Sequence, residues 1–425
     1  MNASTSRRSF LRGSLSSAAL VAFAPTVPQF LVSASARAAE NNAETVLVVL
    51  QLSGGNDGLN TVIPFADDEY RKGRPSLAIP AAQVRKVDDS IGLHPSMEGF
   101  SKLLEAGQLG IIQGVGYPNP DRSHFSSMDI WHTAMRETGG GVMMSGPDRG
   151  HRATGWIGRC LDVHAPARGK GGDLPGLHLG SGSGRLPLAL VGDEIRVSSV
   201  QALEGFKLDD GGDARVRESI QQAAAAQREG DNELVAFLQR GTLSALDSSR
   251  RVQESLRKYK TDVTYPDSGL AKRMKTVAQL IDAGLSTRVY YLDIDGFDTH
   301  ANQGAAHAGL LTEVSGALNA FVKDVEQHGH GKRVMVLTFS EFGRRVRENA
   351  SQGTDHGAAA PMFVAGGRVK SGLIGKHPSL TDLDEGDLKH HTDFRSVYAA
   401  VLEDWLGVAS EPVLGKKFAP VKVTA

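Results

Sequence analysis

The chain predicts an α/β protein with a mainly parallel central sheet flanked by helices. Three observations carry that expectation. Mostly apolar runs with several β-branched residues recur along the sequence, segments of helical periodicity separate them, and glycine-rich turns stand where they meet.

The elements follow in order. Thr45–Leu52 reads as a strand buried on both faces, hence central in a parallel sheet, and it stops abruptly at Ser53-Gly-Gly-Asn-Asp-Gly58. Ser96–Ala106 has helical periodicity, and Leu109–Val115 is a second buried strand. A polar loop from Tyr117 to Arg122 leads into a helix that begins near Ser123. The glycine-rich stretches Gly139–Gly150 and Gly169–Gly184 read as surface loops. Residues 202–283, rich in Gln, Arg, Glu and Ala, form a helical insertion or cap between the two halves of the sheet. Arg288–Ile294 is the third strand, Leu310–Glu326 a strongly amphipathic helix, Arg333–Phe339 the fourth strand and Pro361–Ala365 the fifth. A closing helix over Phe394–Leu406 is stopped by Gly407, with Asp393 as its cap.

Residues 1–38 have a different character. Ser6-Arg-Arg-Ser-Phe-Leu-Arg12 is followed by a mildly apolar run from Leu15 to Val32 and by Ala36-Arg-Ala-Ala39. That order, charged then apolar then small, is that of a twin-arginine export signal. The run is too short and too rich in Ala and Ser to anchor in a bilayer, so an integral membrane protein is not expected. The expected partner in export is the twin-arginine translocase, and the expected location is the periplasm or the medium. Residues 39–425 then form the mature α/β domain.

Composition excludes several classes. Apolar residues at 40% and charged residues at 22% mark an ordinary globular chain. A formal net charge of -1 gives no basic surface, so no nucleic-acid partner is expected. Cys160 is the only cysteine, which rules out an internal disulfide and a self-contained cysteine-ligated iron–sulfur cluster. Beside Trp156 and Ile157 it reads as a core residue. Gly180-Ser-Gly-Ser-Gly184 lacks the strand and helix context of a dinucleotide site. His94, His132, His151, His164 and His377 read as loop or surface histidines.

The chemistry-bearing residues share a position. Asp57 follows the first strand; Ser123 and His124 follow the second; Asp298 and His300 follow the third; Ser340 and Glu341 follow the fourth; Asp355 and His356 precede the fifth. In open α/β sheets the ligand binds outside the carboxyl ends of the strands. Carboxylates and imidazoles gathered there suit a divalent cation such as Zn²⁺ or Mn²⁺, and two ions would clamp an in-line displacement. Residue by residue the choice stays open. Ser123 fits an N-cap as well as a nucleophile, Asp57 fits an Asx turn, and Glu341 fits a helix-start carboxylate.

Taken together, the motifs resemble an uncharacterised family of twin-arginine-exported bacterial proteins that is similar to the alkaline phosphatase and sulfatase superfamily. The residues that carry the resemblance are Leu52-Ser-Gly-Gly-Asn-Asp-Gly-Leu-Asn60, Arg122-Ser-His-Phe125 with Asp129-Ile-Trp131, Gly155-Trp-Ile-Gly158, Asp298-Thr-His300, Ser340-Glu-Phe-Gly-Arg344 and Thr354-Asp-His-Gly357. The resemblance implies an alkaline-phosphatase-like fold. It also implies one or two metal ions on Asp57, Asp298, His300, Glu341, Asp355 and His356, with Ser123 as nucleophile and Arg122 and His124 beside it. Where the superfamily has a second Asp-His pair, this chain has Glu341-Phe342. That departure leaves a single ion, substitution by Asp355, or lost catalysis. No Cys-x-Pro-x-Arg sequence supports formylglycine chemistry. The implied function is hydrolysis of a phosphate or sulfate ester, on a small molecule or a glycan. The alternative is a non-catalytic exported binding or envelope-assembly protein that keeps the fold.

Overall fold

A computed structural model describes residues 45–135, 153–164, 176–182, 186–195, 197–200, 258–285 and 287–425. The export-signal segment, Gly139–Gly150, His151 and residues 202–257 lie outside the described residues.

The first strand, β1 (Val46–Leu52), leads through the turn helix α1 (Gly58–Thr61) into a small sheet of β2 (Val62–Ile63), β3 (Arg85–Lys86) and β4 (Gly92–Leu93). The short helix α2 (Asp68–Gly73) lies between β2 and β3. Then come α3 (Glu98–Glu105), β5 (Leu109–Gly116), α4 (His124–Thr133), α5 (Trp156–His164), β6 (Gly176–Leu179) and β7 (Ser198–Val200). The second half runs α6 (Gly269–Asp282), β8 (Val289–Ile294), α7 (Gln303–Gln327), β9 (Val334–Phe339), the hairpin of β10 (Arg344–Glu348) and β11 (Thr354–His356), and β12 (Ala360–Ala365). Short strands β13 (Gly372–Ile374), β14 (Leu383–Asp384), β15 (Asp387–Leu388) and β16 (Thr392–Asp393) precede α8 (Phe394–Ala400), a π-helical turn over Val401–Leu406 and α9 (Ser410–Leu414).

The main sheet runs β13-β5-β12-β9-β1-β8-β6-β7, with β16 also paired to β5. β1 is central and parallel to both β8 and β9, as its two-faced burial predicts. Its even-numbered residues Val46, Val48, Leu50 and Leu52 join a core with α3, α6 and α7. Leu47 and Val49 join a second core, on the opposite face, with α4, α5 and α8. Only β12 runs against its neighbours, antiparallel to both β9 and β5. The C-terminal ends of β1, β5, β8 and β9 and the N-terminal end of β12 therefore share one rim.

The structure departs from the sequence reading in places. Gly176–Leu179, inside a stretch expected to be loop, is the buried strand β6, parallel to β8. Four residues between glycine-rich flanks are too few to show a period. It also gives Gly180–Gly184 a preceding strand, but the next described element is a 3-10 turn at Leu188–Leu190. His94 and His132 are buried, not surface residues. Residues 269–282, within the expected insertion, form a helix whose Leu270, Met274, Val277 and Ile281 are part of the core. Cys160 is buried as expected. Asp393 caps the closing helix by accepting from the Arg395 N–H at 2.9 Å. No helix among the described residues is long and apolar enough to cross a membrane.

Candidate metal centre

Four side chains meet at the rim. His124 opens α4, Asp298 and His300 lie in the loop after β8, and His356 ends β11. Asp298 Oδ1 is the hub: it lies 3.1 Å from His300 Nε2, 3.3 Å from His356 Nε2 and 3.4 Å from His124 Nε2. The ligating atoms of His124, Asp298 and His356 all fall within 4.8 Å of one another. His300 Nε2 adjoins them, 2.8 Å from His356 Nε2.

Each ring is held by its other nitrogen. His124 Nδ1 is 2.8 Å from Glu341 Oε1, His356 Nδ1 is 2.8 Å from the Arg122 carbonyl, and His300 Nδ1 is 3.4 Å from Asp355 Oδ1. A carbonyl or an ionised carboxylate only accepts hydrogen bonds. The Nδ1 atoms therefore carry the protons, and in the neutral rings the Nε2 lone pairs face the cluster. His124 Nε2 is buried and has no hydrogen-bond partner. Lone pairs and a carboxylate oxygen pointing at one another repel unless a cation or proton lies among them. This donor set, with each imidazole fixed by an outer partner, fits a divalent ion.

At His124 and Asp298 the electrostatics favour positive charge within the cluster. The hydrogen bond to Glu341 raises the His124 pKa, against the effect of burial. Burial pushes the Asp298 carboxyl up, but the hydrogen bond and charge of Arg344 help to outweigh it and bring it down to about 2. Burial lowers His356, against its bond to the Arg122 carbonyl.

Close packing of loops makes this possible. Gly54 has φ +113°, and a Cβ there would lie 2.4 Å from the Asp298 amide nitrogen. A Cβ at Gly353 would lie 2.1 Å from the His300 carbonyl carbon. Buried Arg344 laces the loops together, donating to the carbonyls of Gly54, of Gly55 at 2.7 Å, of Thr354 at 2.7 Å and of Phe297 at 3.0 Å, and to Asp298 Oδ1 at 2.7 Å. Phe342 packs its ring 4.9 Å from His124 and 4.7 Å from His356, as an apolar wall.

The other residues expected at the site lie elsewhere or do other things. Asp57 is fully buried, with Oδ2 2.5 Å from both Arg74 Nη1 and Gln303 Nε2. Burial alone would raise its pKa; the charge and hydrogen bond of Arg74 leave it lowered. That carboxylate is already neutralised and makes no hydrogen bond or ion pair with the imidazole cluster. Glu341, also buried, accepts from the Gly54 N–H at 2.8 Å and from His124, so it orients a ring and does not face the cluster. Asp355 stands behind His300 in the same way. The Arg122 guanidinium turns to Asp387, at 2.7 Å from its Nε, and only the Arg122 carbonyl serves the centre. Ser123 occupies the N-cap position of α4 but makes no side-chain cap bond, and it is exposed. Sequence reasoning saw His124 as a companion of the nucleophile, not as part of the donor set. It gave no role to Arg344, Arg74 or Gln303; only Arg344 lay inside a quoted motif, and nothing in its spacing signals a loop clamp.

The chain belongs to the family described as "Protein of unknown function (DUF1501)", whose profile matches residues 44–402. No curated protein matches it. Among solved structures it is similar to the PsFucS1 sulfatase of Pseudoalteromonas sp., at 12% identity over 96% of this chain and 74% of that one, with a TM-score of 0.41. It is also similar to the lipoteichoic acid synthase LtaP of Listeria monocytogenes, at 8% identity over 81% and 72%, with a TM-score of 0.33. A third is the alkaline phosphatase of the Antarctic bacterium TAB5, at 9% identity over 76% and 92%, with a TM-score of 0.31.

Proposed function

We propose that the protein is an exported hydrolase of phosphate or sulfate esters that depends on one divalent metal ion. The observation that carries the reading is the meeting of His124, His300 and His356 Nε2 on Asp298 Oδ1, with every Nδ1 anchored from behind. His124, Asp298 and His356 would hold the ion, with His300 adjoining. Zn²⁺, Mn²⁺ and Fe²⁺ all suit such donors. When bound, the ion supplies Lewis acidity that lowers a hydroxyl's pKa and offsets charge on the ester.

The chain's own groups supply the rest. Ser123, exposed and free of a cap bond, provides the attacking oxygen. The N-terminus of α4 directs its backbone N–H groups at the anionic ester. Glu341, Asp355 and the Arg122 carbonyl keep the three rings in their orientation. Two occupied places support a single ion. The Arg74 guanidinium already neutralises Asp57, and Phe342 fills the side of the cluster where a further histidine was expected. On this reading residues 39–425 form one α/β domain, the insertion at about 202–283 shapes the substrate pocket, and the twin-arginine translocase delivers the protein to the periplasm or beyond.

The test is elemental analysis of protein purified from the periplasm without added metal, followed by a screen of aryl phosphate and sulfate esters. One equivalent of Zn, Mn or Fe, with turnover abolished by chelation and by Ser123→Ala, is the expected result. A folded, metal-free wild type overturns it. Bound metal without turnover on any ester favours the non-catalytic binding protein, the reading that Phe342 favours from the sequence.

A further inference from the structure

We infer that Gln303 is a positioning residue that sets the spacing between the two loops carrying His300 and His356. The inference rests on the metal-centre reading of those loops.

Gln303 is the first residue of α7 and is fully buried. Its one amide joins three segments. Nε2 donates to Asp57 Oδ2 at 2.5 Å, and Oε1 accepts from the Thr299 hydroxyl at 3.0 Å and from the Thr354 hydroxyl at 2.6 Å. Thr299 stands between Asp298 and His300; Thr354 stands two residues before His356 on the same short strand. The two loops also touch through the Thr354 N–H, which donates to the Thr299 carbonyl at 3.2 Å.

The direction of the amide is fixed by charge. Asp57, ionised by its pairing with Arg74, can only accept, so the nitrogen must face it. The oxygen then has to face the two hydroxyls. A flipped amide would set its oxygen against the Asp57 carboxylate, two acceptors facing each other. The buried pair Arg74–Asp57 thus dictates, through Gln303, where both threonines sit. Gln303 makes no hydrogen bond with His124, Asp298, His300 or His356, so the effect it has on an ion passes through the loops. Hydrogen bonds made to a ligand itself typically change metal affinity by about 10- to 100-fold, and that range bounds the effect from above here.

The test uses the full-length mature protein and Co²⁺ alone as probe. Affinity is measured by titration calorimetry, the coordination by the visible d–d absorption, and stability by urea unfolding of the metal-free forms. Thr354→Val keeps the side-chain shape and deletes the hydroxyl; Thr354→Ser keeps the hydroxyl; Gln303→Leu removes the hub. Thr354→Val and Gln303→Leu are expected to weaken Co²⁺ binding, by no more than about 100-fold, and to alter the absorption, with Thr354→Ser close to wild type. Thr354→Val carries the test by itself if Gln303→Leu fails to fold. Wild-type affinity and spectrum in Thr354→Val, or equal losses in the Val and Ser variants, overturn the positioning role while leaving the metal centre standing. A wild type that takes up no Co²⁺ removes both.

Discussion

Asp57 and Asp298 occupy matching places, each just past the end of a parallel strand at the middle of the sheet, yet their surroundings differ in kind. Asp57 is fully buried and has a partner for both oxygens: Arg74 and Gln303 on one, the Asn60 N–H at 3.4 Å on the other. Asp298 is about half exposed, and a single oxygen is shared by Arg344 and three imidazole nitrogens. One carboxylate is complete without a ligand, and the other faces groups that repel one another without one. Position at the rim is therefore a poor guide to a ligand site, and the state of each polar atom a better one.

The largest effect expected from that contrast falls on the closed side. Arg74→Ala strands a buried carboxylate and should cost about 3–5 kcal/mol of stability in urea unfolding, while the folded fraction still takes up one equivalent of metal at saturation. On the open side the loss should be the reverse. Asp298→Ala should weaken metal binding by more than ~100-fold, beyond the range of outer-partner variants, and should cost less stability than Arg74→Ala because buried Arg344 keeps its four carbonyl acceptors. If Arg74→Ala abolished metal uptake and Asp298→Ala unfolded the protein, the contrast would be broken. Glu341→Gln sharpens it further. Loss of the charged acceptor behind His124 should lower metal affinity about 10- to 100-fold without changing the stoichiometry, as read by calorimetry.

The most gradual effect is a pH dependence from two buried histidines. Burial holds His132 neutral, down to about 3, and His307 likewise, down to about 4. His132 Nε2 lies 2.8 Å from Gln51 Oε1, and His307 Nε2 lies 3.0 Å from Asn56 Oδ1. Both pKa values are lowered in the folded state, so the unfolded chain binds the extra protons. Their contribution is intact above pH 6.5 and declines as the pH falls from there toward the folded values. Each should cost about 1.4 kcal/mol per pH unit in that window. His132→Gln should flatten the slope of stability against pH between about 4.5 and 6.5; an unchanged slope would show that His132 is not a source of it.

Much of this architecture is legible in the chain. Strand β1 declares itself because a run that is apolar at every position but Gln51 reads as buried on both faces. The same signal finds β5, β8, β9 and β12, but an apolar run has no direction, so the reversal of β12 is invisible before its partners are known. β6 is four residues long and leaves no period to read. At the centre, Asp298, His300, His356 and His124 were all foreseen as rim residues, because residue type and strand ends are local properties. Who holds whom is not local. Glu341 reaches His124 across 217 residues, and Arg74 takes Asp57 by a fold-back that no spacing encodes. The burial of His94 and His132 is not legible locally, because groups packed against them, such as His307 and Tyr291, come from other segments.

The reversed strand has a consequence for the order of events during folding. Because β12 enters the sheet at the rim, His356 arrives just ahead of it, after β9 is already in the chain and far from His124 in sequence. The metal-binding group closes only when β12 has docked between β9 and β5. An ion has nothing to grip in a partly built sheet, so it cannot act as a nucleus and must be captured by an almost finished molecule. Uptake of metal by a refolding chain would then serve as a clock hand for the final step, lagging behind burial of the β1 core.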